Sequence, residues 1–260
     1  MYTAECPPSN AIKLKEEQSD SEEVYDDTCS LFLSRFPDYP NPALNNEISL
    51  DVVAHELSVE RRRIYDIVNV LESVEIVSRF AKNKYIWHGK VKLLDTLTKL
   101  RNLGETENYA SQIQHLKKMQ EEREFNFGED LKSKKEPLHP TESENMPLRF
   151  CNSKDGLEKF NNRKDKSLGV MSQKFIMLFL VSKTKVVSLD IAARILIGDI
   201  NYEINENSKF KTKIRRLYDI ANILTSLNLI KKVHVTEARG RKPAFKWVGP
   251  EPGTGMSNGT

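Results

Sequence analysis

The chain has 260 residues, with 40 Lys and Arg against 37 Asp and Glu, a formal net charge of +3, and hydrophobic residues make up 38% of it. A balance so near neutral excludes a polycation that simply coats nucleic acid. The low apolar content argues against one compact domain and for small folded units joined by solvated segments. The charge is unevenly spread: residues 1–29 carry 2 basic and 8 acidic side chains, 30–90 carry 8 of each, 91–162 carry 12 and 13, and 163–248 carry 18 and 7. The last stretch alone holds net +11, and such asymmetry points to a polyanionic partner. Three cysteines, Cys6, Cys29 and Cys151, form neither a disulfide framework nor a CxxC metal pair, which suits a reducing compartment. The first residues do not read as a signal peptide, and the longest apolar run, Phe175 to Val181, is far short of the ~18 residues of a membrane helix.

In chain order, residues 1–28 are acidic and polar and read as a disordered N-terminus. Residues 29–90 regain apolar periodicity and form a first folded unit. Residues 91–162 read as a linker, helical over 91–124: Leu93, Leu97 and Leu100 share one face, Ile113, Leu116 and Met119 another, and Gly104 interrupts between them. Residues 163–249 form a second unit, and 250–260 read as a disordered tail.

The two units are copies. RRIYDIVNVLESVEIVSR at 62–79 and RRLYDIANILTSLNLIKK at 215–232 align at an offset of 153. SLDVVA at 49–54 matches SLDIAA at 188–193, and AKNKYIWHG at 81–89 matches GRKPAFKWVG at 240–249. Each unit thus has the same parts. A first helix is supplied in the second copy by Phe175 to Leu180. Ser49 or Ser188 caps a second helix with Asp in its first turn, the Arg-Arg-x-Tyr-Asp helix follows, and a β-hairpin closes the unit. Three helices and a hairpin make a winged helix. The predicted fold is therefore α+β, two tandem winged-helix domains, a helix-turn-helix variant, joined by a partly helical linker.

At about 100° per residue, Ile64, Ile67, Val68, Leu71 and Val74 line one face of the third helix, and Arg62, Tyr65, Asp66 and Asn69 the opposite one, with Arg63 at the edge. The second copy repeats this: Leu217, Ile220, Ala221, Leu224 and Leu227 face in, and Arg215, Tyr218, Asp219 and Asn222 face out. A helical Tyr is ordinarily a core ring and an Arg pair ordinarily a solvated face. Their recurrence opposite the core, ahead of a wing, favours DNA contact. Arg suits that task because its planar fork donates two bonds to guanine O6 and N7 in the major groove. Asp66 and Asp219, paired to the adjacent arginines, would fix the fork geometry; the bland reading is a surface salt bridge. Arg163, Lys164 and Lys166 before the second unit, Lys211 and Lys213 before its third helix, Lys231 and Lys232 in its first wing strand, and Arg239, Arg241 and Lys242 at its wing tip read as phosphate contacts. Arg61, Lys82 and Lys84 are the counterparts in the first unit. The tip also resembles a minor-groove hook or an import signal, but its place between two strand patterns favours a wing.

The motif Arg-Arg-Ile-Tyr-Asp-Ile-x-Asn-Val-Leu and the wing after it closely resemble the DNA-binding domain of the E2-factor/DP family of cell-cycle transcription regulators. Two tandem copies mark the atypical subgroup, the seventh and eighth members in animals. The resemblance covers most of 29–249. It implies a nuclear repressor that binds GC-core, TTTCCCGC-like promoter sites as an internal pseudo-dimer without a DP subunit. It also implies association with copies of itself, related members or co-repressors. Carried over by position, Arg62, Arg63, Arg215 and Arg216 read bases, and Tyr65 and Tyr218 support them.

The chain departs from the family in two places. SDSEEVYDD stands where the first domain should have a basic arm, so its first helix is expected to be short. The second domain inserts 14 residues between its second and third helices (Asp190 to Arg215 against Asp51 to Arg62). No Walker loop, nucleophile elbow or metal-ligand spacing among the five His supports an enzyme, and no cofactor is implied. A non-specific architectural DNA binder and a winged-helix protein-interaction module are the rival readings.

Overall fold

The computed structural model describes residues 27–44, 46–130, 167–198, 208–237 and 240–253. The first unit contains α1 (Asp27–Leu33), β1 (Glu47–Ser49), α2 (Leu50–Glu56), α3 (Arg61–Ser73), β2 (Val77–Ala81) and β3 (Lys84–Trp87). Two helices follow, α4 (Leu93–Thr106) and α5 (Tyr109–Asp130). The second unit repeats the order of the first with α6 (Leu168–Val181), β4 (Val186–Ser188), α7 (Leu189–Ile197), α8 (Ser208–Ser226), β5 (Ile230–Glu237) and β6 (Gly240–Trp247).

Each sheet has three antiparallel strands, ordered β1-β3-β2 and β4-β6-β5. The hairpins are expected from the sequence; β1 and β4 are not, because three residues carry no periodic signal. Each adds to the open edge of its hairpin and buries an apolar residue there, Ile48 opposite Tyr85 and Val187 opposite Phe245. The chain reverses after α3 and α8 at the same repeat position, Glu75 and Asn228, each left-handed with φ 57°. Ser188 caps α7, its hydroxyl accepting from the Ile191 N–H at 3.4 Å. Ser49 occupies the equivalent position without a side-chain cap bond.

The two copies differ where the sequence does. α1 has 7 residues against 14 in α6. A loop residue makes up for the shorter helix: Phe36 stacks on Trp87 at 4.8 Å, and the Trp87 indole N–H donates to the Pro37 carbonyl at 2.7 Å. In the second unit the helix itself supplies the ring, Phe179, 6.3 Å from Trp247. Part of the insertion before α8 is helix: Ile214 aligns with Arg61, the first residue of α3, so α8 begins six residues earlier.

The segment expected to be a linker is built into the core over Leu93–Leu116. α4 buries Leu93, Leu97 and Leu100, and α5 buries Tyr109, Ile113 and Leu116; α4 packs on α6, and α5 on α6 and α7. Nor does Gly104 interrupt the helix. It lies within α4, where a Cβ would come 3.0 Å from Val181 Cγ1 and 3.1 Å from Met177 Cβ, so its lack of a side chain lets α4 approach α6. The break falls at Glu107 and Asn108, and Asn108 is left-handed at φ 54°.

Phe175 to Leu180 are buried without interruption, and a helix apolar on all sides must lie inside. α6 is that central helix: α3 and α4 from the N-terminal half pack on it, together with α7 and α8 from its own unit. Val70 and Ser73 of α3, off the face predicted for the core, are buried toward it. Ser73 and Ser172 share a hydrogen bond between hydroxyls at 3.1 Å, and the Gln173 side-chain amide donates to the Ser73 carbonyl at 3.2 Å. α1 touches α8 as α6 touches α3, and α3 touches α8. Reciprocal contacts of equivalent elements are those of an isologous pair, here within one chain.

The start of the expected tail is ordered as well. Pro252 is buried and its carbonyl accepts from Arg101 Nη1 at 3.0 Å, while Glu251 pairs with Lys185 at 3.1 Å. Residues 254–260 and the acidic segment 1–26 lie outside the described residues.

Candidate nucleic-acid interface

The core stripes hold α3 and α8 by the faces the periodicity predicts. Ile64, Ile67, Val68, Leu71 and Val74 are buried, as are Leu217, Ile220, Ala221, Leu224 and Leu227. The opposite faces carry Arg62, Arg215 and Arg216 exposed, with Asn69 and Asn222 half-buried beside them.

The pseudo-dimer brings the two motifs together. Arg63 Nη1 of α3 lies 3.7 Å from Asp219 Oδ1 of α8, and the Arg63 side chain is only 21% exposed. The sequence pairs each Asp with an arginine of its own helix; the structure pairs Asp219 across the interface. Arg63, expected beside Arg62 as a base reader, is turned into that interface. The same closeness acts on Asp66. Burial and the neighbouring Asp219 carboxylate raise its pKa above the usual carboxylate value, against the opposing pull of Arg62, Arg63 and Arg216. A raised native pKa means that the ionised form opposes folding above it. Asp66→Asn is therefore expected to raise the melting temperature at pH 7, with the gain shrinking as the pH falls and the wild-type carboxyl takes up its proton. A melting temperature lowered by the substitution at pH 7 contradicts this account.

The tyrosines, equivalent in sequence, differ in setting. The Tyr65 hydroxyl donates to the Asn83 side-chain oxygen in the first wing turn, and Asn83 Nδ2 reaches Asp51 at 3.4 Å. Arg61 pairs with Asp51 at 2.9 Å and its guanidinium lies 5.7 Å over the Tyr65 ring. The wing turn, α2 and α3 are thereby latched together. Asn83 sits at φ 62°, a conformation Asn tolerates better than most residues. No motif in the sequence signals this latch, because its members are brought together only by the turn. Tyr218 is 41% exposed.

Of the cations expected at phosphates, Arg61 is held by Asp51, and Lys84 lies 2.6 Å from Glu47 across the sheet. Exposed pairs of this kind are worth ~0.2–1 kcal/mol, so a phosphate competes for either. Lys82 is exposed in the first wing turn, and Lys211 and Lys213 ride the extension of α8. Lys231 and Lys232 begin β5, and Arg241 and Lys242 begin the returning strand β6. Arg163, Lys164, Lys166 and Arg239 lie outside the described residues. Among the described residues there is no cluster of His, Cys, Asp or Glu fit for a metal, and no helix is long and apolar enough to cross a membrane.

Comparison with known proteins matches one family to two segments of the chain. The winged-helix DNA-binding domain of the E2-factor/DP family matches residues 27–89 and again residues 164–249. Transcription factor E2F8 of Homo sapiens is 58% identical over 228 residues, 86% of this chain and 26% of that protein. E2F8 of Danio rerio is 56% identical over 227 residues, 86% of this chain and 25% of the relative. Transcription factor E2F7 of Rattus norvegicus is 56% identical over 223 residues, 85% and 24% respectively. The chain thus spans about a quarter of the length of these relatives. With the family's winged-helix domain matched twice and both copies packed about one central helix, the chain belongs to the E2-factor/DP family.

Proposed function

We propose that this chain is the DNA-binding part of a sequence-specific transcription factor. It reads one contiguous GC-core site, TTTCCCGC-like, with both winged helices at once and without a DP subunit. The observation that carries this reading is the contact between α3 and α8 at Arg63 and Asp219, which sets two arginine-bearing helices side by side in one body. A helix-turn-helix dimer with separate heads reads half-sites about 34–36 Å apart. Heads in contact suit half-sites that adjoin. The surface that a partner winged helix would cover is filled from within, by α6 against α3 and α1 against α8. Repression of cell-cycle promoters, a nuclear location, self-association and co-repressor binding are what the family resemblance implies.

Gel-shift titration on duplexes with the GC core intact or scrambled tests the reading. The intact probe is expected to bind tighter by at least ~10³-fold at physiological salt. Lys231→Ala with Lys232→Ala is expected to weaken both probes about equally and to lower the salt slope by roughly 1–2, one for each phosphate no longer neutralised. Equal binding to both probes by the unaltered chain would instead establish the architectural reading, and no binding to either the protein-interaction reading.

A further inference from the structure

The outer edge of α8 carries an open groove of about 550 Å³ lined by Phe210, Lys211, Ile214, Arg215, Tyr218 and Asp219. Its apolar wall is three residues spaced four apart, Phe210, Ile214 and Tyr218, which stack along one ridge of the helix. Phe210 is anchored from α7, where the Arg194 guanidinium lies 5.2 Å from its ring. The groove therefore has a fixed floor, an exposed apolar rim at Tyr218 and the cations of the reading helix at its edge.

The first unit supplies an internal comparison. Position 214 aligns with Arg61, whose guanidinium lies over Tyr65 and is held there by Asp51. A charged group thus occupies in α3 the place that Ile214, partly buried against the core, leaves apolar in α8. Phe210 belongs to the N-terminal extension that only α8 possesses.

We infer that the Phe210–Ile214–Tyr218 groove is a base-specificity site of the second winged helix, which takes the C5-methyl group of a pyrimidine beside the guanines read by Arg215. The inference rests on the DNA-reading function proposed above. The N-terminal part of a recognition helix is the part that meets base edges. In the major groove the thymine methyl is the one apolar group a base pair presents, and apolar side chains are its natural contact. Lys211 and Arg215 favour a polyanion at this edge over a neutral peptide. Thymine is the expected source of the methyl, and 5-methylcytosine carries the same group.

The test replaces each thymine of the bound duplex in turn by deoxyuridine, which removes the methyl and nothing else. A parallel set replaces each cytosine by 5-methylcytosine. Dissociation constants are measured by fluorescence anisotropy at one salt concentration. One thymine in the half contacted by the second unit is expected to lose about 4-fold in affinity as deoxyuridine, the value of burying one methyl-sized group. Ile214→Arg, which installs the residue of the first unit, is expected to show no difference between thymine and deoxyuridine. Ile214→Ala is expected to shrink the difference. Equal affinity of the unaltered chain for thymine and deoxyuridine probes at every position overturns the inference while leaving the DNA-reading function intact. A gain seen only with 5-methylcytosine overturns thymine as the source. An undiminished deoxyuridine effect in both variants assigns the methyl contact elsewhere and also overturns it, and failure to bind any duplex removes both conclusions together.

Discussion

Replacing Arg215 and Arg216 together by Ala is expected to erase most of the preference for a GC-core duplex over a scrambled one, with little change in thermal stability. Both side chains are exposed on α8 and stand outside the core, so the fold loses no packing, although the pull of Arg216 on Asp66 is lost. A surface substitution away from special features is worth within ~0.5 kcal/mol of stability. A bidentate arginine–guanine contact is worth ~1–3 kcal/mol of discrimination. Two such contacts amount to ~2–6 kcal/mol, most of the gap between specific and non-specific binding. Gel shift with both probes reads this directly, and thermal melting confirms that the variant is folded. A variant that keeps its preference would move the reading function to the first unit. The two arginine pairs are not interchangeable in this respect. Arg63 is held in the interface with Asp219, so its replacement removes a contact between units as well as a cation.

The second large effect concerns the separated halves. Residues 1–162 and 163–260, produced apart, are expected to lose cooperative folding, although each contains one complete copy of the repeated motif. Without α6, the N-terminal fragment exposes Val70 of α3 and Leu97 and Leu100 of α4, all buried in the whole chain. The C-terminal fragment exposes the side of α6 that α3 and α4 cover, including Met177, where Gly104 lets α4 approach closely. Fully burying one large apolar side chain contributes ~1.5–3 kcal/mol, and a whole domain is stable by only ~5–15 kcal/mol. The three side chains named for the N-terminal half amount to ~4.5–9 kcal/mol, comparable with the whole stability of a domain. Circular dichroism is expected to show no sharp thermal transition for residues 1–162 alone, and mixing the two fragments is expected to restore one. A sharp, independent transition in the N-terminal fragment contradicts the shared core.

The repeat was legible because it is written in local sequence. The 3.6-residue pattern in α3 and α8 identified both core faces, and the hairpins followed from strand patterns flanking polar turns. The shortness of α1 was visible in the acidic run before it. β1 and β4 escaped because their partners lie far away in the chain. Ser49 illustrates a related limit: its identity predicts a cap, but the side-chain bond depends on local geometry, and only Ser188 makes it.

At the interface, helical periodicity located the arginines and their outward faces but could not say which of them turn into contacts within the protein. Tyr65 and Tyr218 occupy one motif position, yet the short first wing brings Asn83 to Tyr65, and an Ile in place of Arg61 leaves Tyr218 beside an apolar groove. The amphipathic stripe of 91–124 predicts a helix, and the structure packs α4 and α5 on α6. A stripe records that a helix buries one face; it does not record against what.

The sequence by itself determined that this protein contains two winged helices, which face of each third helix carries arginine, and where the positive charge is concentrated. Each of these is set by neighbours within a few turns of the chain. Only the tertiary structure decided that the two copies form one body around α6, that Asp219 answers Arg63 across the interface, and that the equivalent tyrosines have different surroundings. The first two outcomes depend on contacts between residues about a hundred or more positions apart, and burial of an apolar helix on every side selects them because no single unit can cover it; the tyrosines differ because the first wing turn brings Asn83 to Tyr65.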